Sequence, residues 1–208
     1  MKYFRSVRWW ALAVAGVALS GCVTLFPKVP PAQLYRFEIT PSSQPPEATQ
    51  GAEISVIRAP TTFAHGAAGD QLLTVNGDQV AYIASARWIA PAVSLFDQAE
   101  SEAFDQSATR LRLARRGEIV NAPLNLRLDV ESFETRYLDG PANAPAVVVR
   151  IRAILTRSSD HKIVEAQTFE SRKPAGQNRV AAIVSAYSAA VTEALGAIVT
   201  WTETNSGG

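Results

Sequence analysis

Alternation of hydrophobic and polar residues predicts short strands in the first half of the chain. Residues 34–39 (LYRFEI) alternate between apolar and polar, and 54–57 (ISVI) form a short apolar run, so each predicts a strand. Further along, 72–75 and 80–84 are β-prone runs on either side of Asn76-Gly77. Because both of these residues tolerate positive φ, the pattern predicts a β-hairpin.

The second half of the chain contains the longest alternation. Residues 124–130 place Leu and Val on one side of a strand and polar residues on the other. Strands over 147–155 and 163–171 follow, separated by turn-forming residues at 139–145 and 158–161. The order predicts a long antiparallel meander with one face in water.

A first helix is predicted from about Ala92 to Ala114. Pro91 stands where a helix begins, and Gly117 is a plausible end. Its buried side is predicted to consist of Leu95, Phe96, Ala99, Ala103 and Leu111. Its water-facing side is predicted to carry Glu100, Glu102 and Asp105.

A second helix is predicted over Val180–Trp201, where Glu193 is the only charged residue. Small and polar residues share one side of this helix and large apolar residues share the other. We interpret it as an amphipathic helix lying on a sheet, with a membrane-spanning helix as the alternative. The whole pattern predicts a single-domain α+β fold, with a mostly antiparallel sheet and two main helices packed on one face.

The N-terminus has the form of a secretory signal, with three basic residues before the uncharged run 9–20. That run is shorter than the ~20 apolar residues needed to span a bilayer. Leu19-Ser20-Gly21-Cys22 resembles the bacterial lipobox, which implies lipid attachment at Cys22 and cleavage between Gly21 and Cys22. The alternatives are a plain signal peptide with an accidental Cys, and an uncleaved anchor.

These features predict four segments. They are a signal peptide (1–21), a lipidated Pro-rich tether (22–33), an auxiliary domain (34–201) and a polar tail that frays (202–208). Val23, directly after the Cys, implies sorting to the outer membrane rather than retention at the inner one. Removal of 1–21 would change the formal charge from +1 to −2, because that segment carries three basic and no acidic residues.

Composition argues against several function classes. The formal charge of +1 for 208 residues does not favour a nucleic-acid binder that works by bulk charge. One Cys and two His leave few ligands for a metal. The motifs of P-loop proteins, α/β-hydrolases and zincins are missing. We therefore expect no catalytic residues, no metal, no cofactor and no enzyme activity.

Several polar groups have both a functional and a structural interpretation. His65 and His161 fall in predicted loops and are expected to be exposed to solvent. An acidic group on the first helix (Asp97, Glu100, Glu102 and Asp105) is interpreted as a solvated face rather than an acid/base cluster. A basic run (Arg110, Arg112, Arg115 and Arg116) suits a helix C-terminus, with contact to a partner or to lipid headgroups as the alternative.

Arg87 and Trp88 precede the first helix. A Trp beside an Arg is a candidate partner contact on the surface. The favoured interpretation is that Trp88 is a core residue packed beneath the first helix.

Short motifs follow the lipobox in a characteristic order: a Pro-rich tether, Tyr35-Arg36-Phe37, a strand ending in Pro (Ile54 to Pro60), a hairpin with Tyr82, Trp88-Ile89-Ala90-Pro91, and Leu95-Phe96. This order resembles the ABC-type transport auxiliary lipoprotein family, which accompanies MCE-type (mammalian cell entry) lipid transporters of Gram-negative bacteria. The paraquat-inducible lipoprotein belongs to the same group. The resemblance covers about residues 34–200.

The resemblance implies a non-enzymatic docking subunit at the periplasmic face of the outer membrane. Its partners would be an MCE-domain protein with its ABC permease and ATPase, and the membrane through the lipid anchor. A homo-oligomer is compatible with this role, and nucleic acid is not an expected partner. Two other functions remain open: a lipid carrier that holds acyl chains in its own cavity, and a periplasmic hydrolase, which the missing motifs disfavour.

Overall fold

The structure is a computed structural model that describes residues 31–40, 54–114, 118 and 121–207. These residues form nine strands and two helices. The strands are β1 (Gln33–Tyr35), β2 (Ile54–Arg58), β3 (Thr62–Phe63), β4 (Gln71–Asn76), β5 (Gln79–Trp88), β6 (Leu111–Ala114), β7 (Leu124–Arg136), β8 (Ala146–Arg157) and β9 (Ile163–Pro174). The helices are α1 (Ala92–Ser107) and α2 (Val180–Asn205).

β7 organises the sheet because both of its edges are paired. On one edge β8 runs antiparallel to it over its whole length, with Leu124 opposite Arg157 and Arg136 opposite Ala146. On the other edge β2, β3 and β4 pair with it one after another, all in parallel. Alternate residues of β7 are buried, as the sequence pattern predicts.

The remaining strands extend the sheet outward from this centre. β9 pairs with β8, β6 with β2, β5 with β4, and β1 with β5. The meander from β7 to β9 is antiparallel as predicted, whereas β1, β2, β3, β4 and β6 each have a parallel neighbour. The α+β class is confirmed, and the sheet is mixed rather than antiparallel throughout.

The predicted hairpin around Asn76-Gly77 is confirmed as β4 and β5. Asn76 itself pairs with Gln79, so the two loop residues are Gly77 and Asp78. Gly77 has a φ of +57°, a conformation that glycine adopts without the steric cost of a Cβ.

α2 is a core helix of this fold. It packs on β8 and β9 and contacts α1, and its apolar side, including Tyr187, Leu195 and Ile198, is fully buried. Among the described residues it is the one helix long and apolar enough to cross a membrane, with a mean hydropathy of 1.6 over an 18-residue window, but half of that window is buried in the protein. The amphipathic interpretation therefore describes this helix.

α2 also extends beyond its predicted end at Trp201. The segment 202–205, assigned from sequence to a fraying tail, is helical. Thr202 is fully buried, and its hydroxyl donates to the Ile198 carbonyl at 2.7 Å. A polar side chain that satisfies its own hydrogen bond within the helix can be buried in this way.

The predicted end of the first helix at Ala114 is wrong. α1 ends at Ser107, and 111–114 form β6, which pairs in parallel with β2. Glu203 of α2 accepts hydrogen bonds from the backbone N–H groups of Thr109 (2.6 Å) and Arg110 (3.0 Å). These bonds hold the chain in a non-helical turn, and the Leu-Arg-Leu alternation that follows suits a strand.

The predicted strand over 34–39 is shorter in the structure, because β1 ends at Tyr35. Beyond that point the backbone bonds to α2 instead of to a strand. The Glu38 N–H donates to the Ser188 hydroxyl at 3.2 Å, and the Thr40 N–H donates to the Thr192 hydroxyl at 3.1 Å. Side chains of a helix therefore replace the expected sheet ladder.

Candidate functional site

Several candidate residues lie outside the part of the chain that the structure describes. They are Gly21, Cys22, Arg115 and Arg116. Lipid attachment at Cys22 and cleavage after Gly21 therefore remain predictions from the lipobox. The other candidate residues can be placed in the fold.

Trp88 lies in the core rather than on the surface. It ends β5 and is only 2% exposed. Its ring meets those of Phe37 and Tyr187 edge to face, with centroids 5.3 Å and 5.2 Å apart. Phe133 belongs to the same cluster, with its ring centroid 6.3 Å from that of Trp88. This burial supports the interpretation of Trp88 as a core residue, and the indole is not available on the surface of this structure.

Arg87 is partly exposed and points away from that core. Its guanidinium contacts both carboxylate oxygens of Asp70 at 3.0 Å. Both side chains remain over 40% exposed, so the pair is a surface ion pair that adds little to stability. Partner contact at Arg87 stays a prediction.

The acidic group on α1 does not form the uniformly solvated face predicted for it. Asp105 is exposed and Glu102 is partly exposed, but Glu100 is fully buried. Among the described residues, neither carboxylate oxygen of Glu100 has a hydrogen-bond partner. The prediction was wrong for Glu100 because α1 is covered on more than one side, by α2 and by β6.

Arg58 of β2 lies between this buried carboxyl and the partly exposed carboxylate of Asp97. Its guanidinium lies 3.5 Å from Glu100 Oε2 and 3.1 Å from Asp97 Oδ2, and it also donates to the Asp97 carbonyl at 2.8 Å. Burial raises the pKa of Glu100 to about 8, against the attraction of Arg58, and the nearby Asp97 charge adds to the rise. At neutral pH the Glu100 carboxyl therefore holds a proton.

A charged surface cleft of about 610 Å³ lies beside this group. It is lined by Arg58, Asp97, Gln98, Ser101, Asp105, Arg112, Leu113, Ala114 and Glu118. Its acidic and basic side chains pair with one another, as Arg112 does with Glu118 at 2.9 Å. His65 and His161 are exposed in loops, as expected. No group of three His, Cys, Asp or Glu within the described ranges could hold a metal ion.

An exposed apolar surface is found on the side of the sheet away from the helices. Thr135 faces the helices, since its hydroxyl donates to the Tyr187 hydroxyl of α2 at 3.3 Å. Thr74 is paired with Thr135 and shares that face. The next residues, Val75 and Arg136, therefore point to the opposite, helix-free face.

Two large apolar side chains are exposed on this helix-free face, and a third is exposed in the bend directly after β7. Val80 is paired with Val75 and is 65% exposed, and Tyr82 shares its side of β5 and is 43% exposed. Leu138, 60% exposed, follows Arg136 by two residues, while the Tyr137 N–H still donates to the Val75 carbonyl at 2.9 Å. We call these three side chains the hairpin surface.

Tyr82 is held in place within this surface because its hydroxyl donates to the Gly66 carbonyl at 3.0 Å. Sequence reasoning used Tyr82 only as a family-like motif and did not identify the surface. The available signal was the run 79–86 (QVAYIASA), in which a β-prone segment has no charged residue.

The fold is similar to those of several solved structures. A protein from Xanthomonas campestris has a TM-score of 0.69 and 23% identity, covering 84% of this chain and 96% of that one. A hypothetical protein from Chlamydia trachomatis has a TM-score of 0.52 and 10% identity, covering 74% and 98%. Identities this low show the fold alone.

No curated protein matches this chain in sequence. A family model does match, over residues 35–199, which is most of the chain and all of the sheet from Tyr35 onward. That model describes the ABC-type transport auxiliary lipoprotein component, and the chain belongs to this family.

Proposed function

We propose that this protein is a non-enzymatic docking subunit of an ABC/MCE-type intermembrane lipid transport system. It would be anchored in the outer membrane by lipid on Cys22 and would face the periplasm. Membership of an auxiliary lipoprotein family supports association with an ABC transport system and attachment to the cell envelope. The MCE-domain protein, permease and ATPase would be separate chains.

The hairpin surface is the observation that carries the docking role. Val80 and Tyr82 expose large apolar side chains on a face that the helices of the fold leave uncovered, and Leu138 exposes another directly after β7. Apolar groups clustered on a surface mark sites of protein–protein contact more often than isolated ones do. The β4–β5 ladder holds Val80 and Tyr82 in place, which lowers the entropy lost on binding.

A pull-down experiment tests this role. The tagged, detergent-solubilised protein is expected to recover the MCE-domain protein of the same bacterium. Replacing Val80 and Tyr82 together by Ser should lower recovery severalfold, since it removes apolar contact area. Ile163→Ser is the control, because Ile163 is equally exposed but lies on β9, away from the hairpin surface. Failure to recover the MCE protein from cells that express it would contradict the proposal.

Lipid attachment has its own test. Cys22→Ser is expected to abolish acylation and leave an uncleaved precursor, because the thiol is the acceptor that the lipobox provides. Intact-mass measurement and partition into detergent would show the change. A Cys22→Ser protein that still matures and partitions into detergent would contradict attachment at this residue.

The lipid-carrier alternative requires an apolar cavity for acyl chains. The space between sheet and α2 is instead filled by Phe37, Trp88, Phe133 and Tyr187, whose neighbouring ring centroids are 4.8–6.3 Å apart. The cleft beside α1 is lined largely by charged residues. These observations favour docking over carriage.

A further inference from the structure

Two large apolar side chains are exposed beside each other at β1. Leu34 of β1 is 61% exposed, and Ile89, in the bend directly after β5, is 60% exposed. The Ile89 N–H donates to the Tyr35 carbonyl at 2.7 Å, which holds this bend against β1. Large apolar groups exposed together, rather than singly, mark a contact surface.

Two arginines accompany these apolar side chains. Arg87 is paired with Leu34 in the β1–β5 ladder, so both side chains point to the same face of the sheet. Arg36 and Ile89 line one cleft of about 400 Å³. Each guanidinium contacts an exposed carboxylate, that of Glu38 or Asp70. These charges cancel, so apolar exposure rather than net charge distinguishes the four residues 34, 36, 87 and 89, which we call the β1 surface.

The covalent chain ties this surface to the predicted lipid anchor. Pro31, where the described part of the chain begins, is nine positions after Cys22. Nine residues span at most about 32 Å. Lipid on Cys22 would therefore keep the start of β1 close to the bilayer. β9 has no such restraint, because it lies five strand spacings from β1, along the path β1-β5-β4-β7-β8-β9, or about 24 Å at ~4.8 Å per strand.

We propose that the β1 surface rests on the lipid bilayer, with the side chains of Leu34 and Ile89 inserted among the headgroups. This inference rests on the proposed function, because it requires the lipid anchor at Cys22. Apolar side chains gain free energy when they leave water for the boundary between headgroups and acyl chains. The anchor makes this contact intramolecular in effect, so two side chains suffice where a free protein would need a larger surface.

Contact at the β1 surface would also orient the docking site. β5 carries Arg87 near its C-terminal end, and Val80 and Tyr82 of the hairpin surface near its N-terminal end. The seven residue steps from Val80 to Arg87 span at most about 23 Å at ~3.3 Å per residue. The bilayer and the partner would therefore meet opposite ends of the same strand.

A fluorescent label at position 36 tests the proposal. Cys22 is the only Cys of the chain, so once it is acylated Arg36→Cys supplies the only free thiol. The full labelled chain is reconstituted into vesicles of three parts phosphatidylethanolamine and one part phosphatidylglycerol, with a nitroxide-labelled lipid as quencher. The quencher should lower fluorescence at least about twofold, because the label is held at the headgroups.

Two further variants locate the contact. Ile163→Cys is the matched control, since Ile163 is 63% exposed and lies on β9, and the same label there should be quenched less than about 1.2-fold. Leu34→Ser combined with Ile89→Ser should reduce quenching at position 36 to the level of this control, because both apolar groups are gone. Thermal unfolding shows whether each variant is folded.

The outcomes separate this contact from the lipid anchor. An intact mass that shows acylated Cys22, with equal quenching at positions 36 and 163, would overturn the contact and leave the anchor and the docking role in place. A chain without acyl groups on Cys22 would overturn both the anchor and the contact. A label at position 36 that is shielded from aqueous iodide but not quenched by the nitroxide lipid would show that protein covers the β1 surface, and would overturn the bilayer as its occupant.

Discussion

Between pH 5 and pH 9 the protein is expected to lose roughly 4 kcal/mol of its free energy of unfolding through Glu100 alone. Burial raises the pKa of this carboxyl from 4.5 to about 8 in the folded protein. Between these two values the folded chain keeps a proton that the unfolded chain releases, so rising pH favours unfolding. The contribution is fully present below the unfolded pKa and is lost as pH rises through about 8.

Glu100→Gln isolates this effect because the amide keeps the shape of the side chain and cannot ionise. Urea unfolding at pH 5, 7 and 9 should show a flatter pH dependence in the variant, which should exceed the wild type in stability at pH 9. Glu102→Gln is the control, since Glu102 is on the same helix, partly exposed, and accepts a hydrogen bond from Gln98 at 2.7 Å. Equal pH dependence of wild type and Glu100→Gln would show that Glu100 ionises freely in the folded state.

Replacement of Trp88 by Ala is expected to lower the free energy of unfolding by about 3–5 kcal/mol. The change removes a buried indole in edge-to-face contact with Phe37 and Tyr187, and leaves a cavity between the sheet and α2. The loss is large because aromatic contact and apolar burial disappear together.

Arg87→Ala is the matched control at the neighbouring position. Its ion pair with Asp70 is exposed on both sides, so its removal should change stability by less than about 1 kcal/mol. Urea unfolding of both variants measures the difference. If Trp88→Ala were as stable as the wild type, the indole would not be a core residue, and the surface-anchor interpretation would be correct.

The family resemblance could be recognised from sequence because its motifs are local. The Tyr35 strand, the hairpin with Tyr82 and the Trp88–Pro91 entry to α1 are each set by a few adjacent residues, and the family match over 35–199 confirms the resemblance. The prediction of lipid attachment at Cys22 likewise rests on neighbouring residues. The hairpin surface was not predicted, because exposure of Val80 and Leu138 depends on which face of the sheet the helices cover.

The sequence by itself determined the meander of β7, β8 and β9, the hairpin of β4 and β5, and both helix starts. Period-two burial and the glycine turn at Gly77 are properties of short segments, and they do not depend on distant partners. Tertiary structure alone decided where α1 ends, how long β1 is, and that Glu100 is buried.

Each of these three features depends on a contact with a distant part of the chain. The carboxylate of Glu203 accepts a hydrogen bond from the backbone N–H of Thr109, which lies 94 residues earlier in the chain. This contact holds the non-helical turn before β6. The hydroxyls of Ser188 and Thr192 in α2 accept hydrogen bonds from the backbone N–H groups of residues 38 and 40, where the sequence pattern predicts a strand that continues to residue 39. Glu100 is buried because α2 and β6 close around α1, and the free energy of that closure comes from apolar neighbours rather than from the carboxyl itself.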